Sequence, residues 1–179
     1  MDSWRSWGLA AEVEMQVCEP LLPGAEAYWV FGDRVTLIAT DADTDGEFFA
    51  AFIQSQFREG DRDMFMRHTH PNEQGYLVLR GRVGYELGDE TGILTLGQQL
   101  VIPPGVPHKT WNAGPDVFHS LMIMRPGGAE GFYRSVGTPA RIIKPTAFPD
   151  FTQSQYEELM AASQEWMVRE YVPMTQLEV

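Results

Sequence analysis

From Tyr28 to Arg125 the chain is a succession of short aliphatic and aromatic runs cut by turn residues. The cuts fall at Gly32-Asp33, Asp45-Gly46, Glu59-Gly60-Asp61, Gly88-Asp89, Gly97 and Gly114-Pro115. This cadence predicts strands over 28–31, 34–39, 47–57, 64–70, 74–80, 82–88, 92–96, 99–102, 107–111 and 116–124. Many short strands with frequent turns pack as a sandwich or a barrel, because a strand buries its apolar face only against another sheet. No helical pattern interrupts the strands, which disfavours a doubly wound α/β fold. No internal repeat is visible, so the expectation is one barrel rather than a duplicated pair.

The flanks read differently. Residues 9–17 suit a short helix, broken by Pro20-Leu21-Leu22-Pro23-Gly24. After Arg125, Pro126-Gly127-Gly128 opens a short helix expected at 129–135, and a loop rich in Pro and Gly runs to Asp150. A last helix is expected over about 152–170. Thr152 and Gln155 pair as a capping box, and Tyr156, Leu159, Met160, Trp166 and Met167 fall on one face. Three segments follow: an N-terminal extension over 1–27, the barrel over 28–125, and a helix, loop and helix over 126–179 packed on it.

At 179 residues the chain is long enough for one domain with a real core. Its 25 acidic and 13 basic residues give a net charge of −12, which repels phosphate backbones and anionic lipid. No nucleic-acid or membrane partner is expected. The single cysteine, Cys18, excludes an internal disulfide and a thiolate cluster, and reads as a small apolar filler. The N-terminus lacks a basic region followed by an apolar run, and no run is long enough to span a bilayer, so a cytoplasmic location is expected.

Three of the four histidines lie in two strand-like segments. In the first, His68 and His70 are two apart, so in a strand both project from the face of Met64 and Met66. Two imidazoles side by side grip a divalent ion well. Pro71 then ends the strand. In the second, the turn Pro103-Pro104-Gly105 delivers His108 at the start of a new strand. His119 lies on a strand away from both and reads as a packed or surface residue.

These two segments resemble the two motifs of the cupin superfamily, G-x5-H-x-H-x3,4-E-x6-G and G-x5-P-x-G-x2-H-x3-N. The second is matched by Gly97, Pro103, Gly105, His108 and Asn112, and the first by His68, His70 and Gly81. Two departures stand out. Seven residues separate Gly60 from His68, and the glutamate position, with six residues between it and Gly81, holds Gln74. The resemblance covers about 28–125. It implies an all-β fold, a jelly-roll (double-stranded β-helix) barrel with a C-terminal helix, and homodimers. It also implies one divalent metal ion (Fe, Ni, Mn, Co, Cu or Zn) held by His68, His70, His108 and Gln74.

A carboxamide ligates weakly and takes no proton near neutral pH, so Gln74 leaves the ion its full charge, suited to an enolate or phenolate. Glu73 is the alternative base if a bulge turns it inward. The segments Tyr28–Thr40 and Met124–Tyr133 further resemble quercetin-dioxygenase-like cupins. That implies a flat aromatic, flavonol-like or polyketide-like substrate and reaction with O₂, Gln74 and Glu73 standing where the base would be. A non-redox cyclase or isomerase of a biosynthetic pathway in secondary metabolism is the second expectation, and a ligand-binding barrel without catalysis the third. Strand parity offers Met64, Met66, Tyr76, Val78, Tyr85, Thr110 and Asn112 as interior residues. Either Phe52 or Phe49 would line the pocket from the opposite sheet, since parity alone does not choose between them. Met66, Tyr76, Tyr85, Phe52, Thr110 and Asn112 are the expected substrate contacts.

Overall fold

A computed structural model describes residues 24–60, 62, 66–140, 157, 161, 162, 164, 165, 170 and 171. The expected helix at 9–17, Met64, the 152/155 capping pair and the apolar stripe of the last helix lie outside the described residues.

The strands are β1 (Ala27–Val30), β2 (Asp33–Ala39), β3 (Phe49–Ser55), β4 (His68–Thr69), β5 (Glu73–Arg80), β6 (Arg82–Leu87), β7 (Glu90–Thr95), β8 (Gln99–Ile102), β9 (His108–Asn112), β10 (Phe118–Arg125), β11 (Thr138–Pro139) and β12 (Glu170–Tyr171). One sheet runs β11-β1-β2-β3-β10-β5-β8 and the other β12-β4-β9-β6-β7. Every pairing is antiparallel. From β5 onward the chain passes back and forth between the sheets. That alternation makes the barrel a jelly roll, as the strand pattern and the resemblance led one to expect.

Glycine makes the β5–β6 crossing possible. Gly81 has φ of 75°, and a Cβ there would lie 2.5 Å from the carbonyl oxygen of Val117. Only a residue without a side chain lets β5 turn into β6 at this point.

The core fills the space between the inner faces. Val35, Leu37, Phe49, Ala51, Ile53, Val78, Ile102, Met122 and Met124 come from the larger sheet, and Val83 and Leu94 from the smaller. Helix α2 (Glu130–Val136) adds Phe132 and Tyr133, and the Tyr133 ring stacks on Phe49 at 5.6 Å. Burying one such aromatic is worth about 1.5–3 kcal/mol, so α2 is an integral wall of the barrel.

Three elements depart from the sequence pattern. A four-residue helix, α1 (Asp41–Thr44), lies between β2 and β3. Thr40 and Asp43 form a reciprocal capping box there. After Arg125 the chain also contributes strands: β11 extends the larger sheet beside β1, and β12 pairs with β4. The expected last helix is seen at Glu157, Ala161, Ala162, Gln164 and Glu165, but Glu170 is already strand. Among the described residues no helix is long and apolar enough to cross a membrane.

Candidate metal centre

His68 and His108 stand directly opposite each other where β4 pairs with β9. His70 follows β4, and its carbonyl accepts the amide N–H of Gly105 at 2.9 Å. The Pro103-Pro104-Gly105 turn, with Gly105 at φ of 75°, thus ties one histidine segment to the other. Ring centroids are 4.5 Å apart for His68 and His108, 4.7 Å for His70 and His108, and 5.9 Å for His68 and His70. One ring nitrogen from each lies within 4.8 Å of the others, the spacing of a three-histidine metal grip.

The backbone fixes which nitrogen faces inward. Each Nδ1 meets a carbonyl oxygen: His68 that of Met66 at 3.0 Å, His70 that of Asn72 at 2.9 Å, His108 that of Val106 at 2.9 Å. A carbonyl only accepts, so each Nδ1 carries the proton and each Nε2 keeps its lone pair. This is the outer hydrogen bonding that orients metal-binding imidazoles. Burial holds the rings neutral, pushing His68 down to about 4 and His108 to about 3, and lowering His70 as well.

Gln74 joins the cluster from β5. Its register neighbours are Ile102 on β8 and Met124 on β10. Its Oε1 lies 2.6 Å from Nε2 of His70, and its Nε2 donates to the Tyr76 hydroxyl at 2.8 Å and to Sδ of Met122 at 3.0 Å. With His70 donating through Nδ1, an imidazole lone pair and an amide oxygen face each other. A cation between them relieves that opposition. A second sign is Nε2 of His108, a buried acceptor with no hydrogen-bond partner. Three imidazoles and one amide oxygen form a neutral donor set suited to a borderline divalent ion. The residues therefore fit a metal, with His68, His70, His108 and Gln74 able to hold it. No carboxylate among the described residues joins the triad.

The remaining candidates fall into three groups. Tyr76 faces the centre, its hydroxyl pushed up by burial, with the Thr110 hydroxyl 3.5 Å from it. Thr110 pairs with Tyr85 across β9 and β6. Tyr85 lies against the core with its hydroxyl over Gly92, where a Cβ would sit 2.7 Å away. Met66 serves His68 through its carbonyl.

Asn112 is committed to structure. It is 1 % exposed, its amide donates to the carbonyls of Ser55 and Asp116, and its oxygen accepts from Gly114. Its polar atoms pin the β9–β10 loop to β3 and do not turn toward a ligand.

Two residues point away from the interior. Phe49, Ala51 and Ile53 belong to the core cluster, so Phe52 on the alternate parity takes the outer face. There it packs edge-on against His119 at 5.4 Å. Phe49 is the aromatic that points inward. Glu73 is exposed and lines a hollow on the outer face with Glu47, Phe48, Gly75, Val101, Ile123 and Arg125. No bulge turns it toward the histidines.

Asn72 and Met122 were missed by sequence reasoning. Asn72 fixes His70 through its carbonyl while its amide holds the carbonyl of Pro126 at 2.6 Å. An Asn after Pro at a strand start is a turn signal, and that was the only available clue.

Residues 58–124 match the protein family described as Cupin domain. Solved structures with a similar fold include an RmlC-like cupin from Shewanella frigidimarina NCIMB 400, 17% identical over 60% of this chain and 89% of that one, with a TM-score of 0.48. KdgF from Halomonas sp. is 19% identical over 53% of this chain and 79% of that one, with a TM-score of 0.42. A variant of oxalate decarboxylase from B. subtilis is 13% identical over 59% of this chain and 28% of that one, with a TM-score of 0.48. No curated protein matches the chain. Residues 58–124 thus carry the Cupin domain match, and the antiparallel jelly-roll barrel is built around that stretch.

Proposed function

We propose that this chain is a metal-dependent enzyme acting on a small aromatic, flavonol-like or polyketide-like molecule that presents an ionisable oxygen. The observation behind this reading is the convergence of three backbone-locked Nε2 atoms and one amide oxygen in a set with no negative charge. A divalent ion held there supplies Lewis acidity and, if redox-active, a route to O₂. The protein's part is to keep the imidazoles neutral, to aim them, and to seat Gln74 among the buried side chains of Ile102, Met122 and Met124.

A quercetin-dioxygenase-like oxygenase is the first reading. Its substrate would arrive already ionised, since Gln74 takes no proton and Glu73 faces outward. A non-redox cyclase or isomerase is the second reading, favoured by the neutral amide at position 74, because polarising a carbonyl needs no carboxylate beside the ion. Pairing of two copies belongs to the same proposal. The outer face of the larger sheet exposes Leu79, Val101 and Ile123, and sedimentation of the purified chain tests whether it pairs.

The deciding experiment is metal analysis of the purified chain, followed by turnover of flavonol and polyketide substrates with O₂ uptake recorded. Oxygen consumed in step with substrate supports the oxygenase. Product without oxygen uptake supports the cyclase or isomerase. A chain that binds no divalent metal, and whose activity survives His108→Ala, overturns both.

A further inference from the structure

An amide can present either its oxygen or its NH₂ group to the histidines, and the two orientations fill the same space. On the histidine side alone the NH₂ group would be preferred, because His70 offers an acceptor lone pair at Nε2. The far side of the amide decides otherwise. The Tyr76 hydroxyl, 2.8 Å away, both donates and accepts, so it tolerates either orientation. Sδ of Met122, 3.0 Å away, only accepts. An amide oxygen turned toward that sulfur would set two lone pairs face to face in a dry interior, since Met122 is 1 % exposed. The Tyr133 hydroxyl donates to the same sulfur at 3.8 Å, holding it from the side of α2.

We propose that Met122 is a positioning residue: its thioether takes the NH₂ group of Gln74 and so turns the amide oxygen to the histidines as a fourth ligand. The proposal rests on the metal reading above and deepens it. A carboxylate at position 74 would need no such device, because both of its ends are oxygen. Met122 therefore matters only in combination with glutamine, and this dependence separates positioning from packing.

The test is a double-mutant cycle on the full chain, stripped of metal and titrated with Co²⁺ by absorbance. Met122→Leu keeps the volume and removes the acceptor. It is expected to weaken Co²⁺ binding about 3- to 10-fold, the effect of one lost hydrogen bond. In a Gln74→Glu background the same change is expected to cost nothing or to strengthen binding. Equal losses in both backgrounds, or no loss in either, overturn the proposal. A second measurement uses the unaltered, metal-free protein. Proton NMR is expected to give a nuclear Overhauser contact between the Gln74 side-chain NH₂ and the Met122 methyl group. A contact from that NH₂ to the His70 ring in its place overturns the proposal, even if Met122→Leu fails to fold. A chain that takes no Co²⁺ in any form sinks the metal reading, while the NMR contact still decides the orientation.

Discussion

At the scale of single residues, the centre is defined by what each polar atom has left over after its structural bonds are made. His68, His70 and His108 each spend Nδ1 on a carbonyl, which puts the ring's lone pair on Nε2. Asn112 spends everything, so its place in the second motif records a loop anchor. His119 lies on the outer face against Phe52. This division predicts that His108→Ala lowers divalent-metal affinity by 100-fold or more, on the order of losing an entire ligand with its oriented shell. His119→Ala should leave affinity within about twofold, because its ring packs on Phe52 on the outer face of the sheet. Isothermal titration of both variants with Zn²⁺ checks the contrast, and a strong loss at His119 would contradict the assignment. Gln74→Glu is expected to raise affinity about 10- to 100-fold, since a charged ligand replaces a neutral one in a buried site. Competition against a chelator of known strength reads that gain.

At the scale of elements, the turns matter as much as the strands. Gly81 and Gly105 both sit at φ of 75°, yet their surroundings differ. A Cβ at Gly81 meets the backbone of Val117 and Phe118 within 3.0 Å, whereas a Cβ at Gly105 meets nothing within 4 Å. Gly105→Ala therefore bears only the left-handed backbone penalty, about 1–2 kcal/mol. Gly81→Ala adds a backbone clash and should cost about 3 kcal/mol or more. Urea denaturation ranks the two, and an equal cost would mean the β5–β6 turn yields more readily than its contacts indicate. The same comparison shows how much could be read from the chain. Strand alternation and turn residues located β1–β10 to within a few residues, because period-two burial is written locally. Parity left Phe49 and Phe52 unresolved, since they lie three positions apart on opposite faces and only the register with β10 says which one faces in. The two-residue strands β11 and β12 are too short to show any period. Met122 lies 48 residues from Gln74 in the chain, so their contact is set by the β5–β10 register and leaves no local sign.

At the scale of the whole molecule, a barrel that buries neutral histidines becomes sensitive to acid in its metal-free form. His68 is lowered to about 4 and His108 to about 3, both by burial, from an ordinary value near 6.5. Between about pH 6.5 and 4 the unfolded chain therefore binds more protons than the folded one, and folding stability falls as the pH falls. The contribution is fully present above pH 6.5 and drains away below it. Each proton taken up preferentially by the unfolded state steepens the decline by about 1.4 kcal/mol per pH unit. Glu26, Asp43 and Glu86 are lowered as well, so their contributions are lost in a separate window below about pH 4.5. Thermal melts of the chelated protein from pH 8 to 4.5 isolate the histidine window. The midpoint is expected to decline steadily below pH 6.5 and to hold nearly constant above it. In a His68→Gln/His108→Gln variant the decline should become shallower, because the two most strongly lowered groups are gone while His70 and His119, also lowered by burial, remain. A decline that persists unchanged in that variant would place the acid sensitivity elsewhere in the molecule and remove the triad from its account.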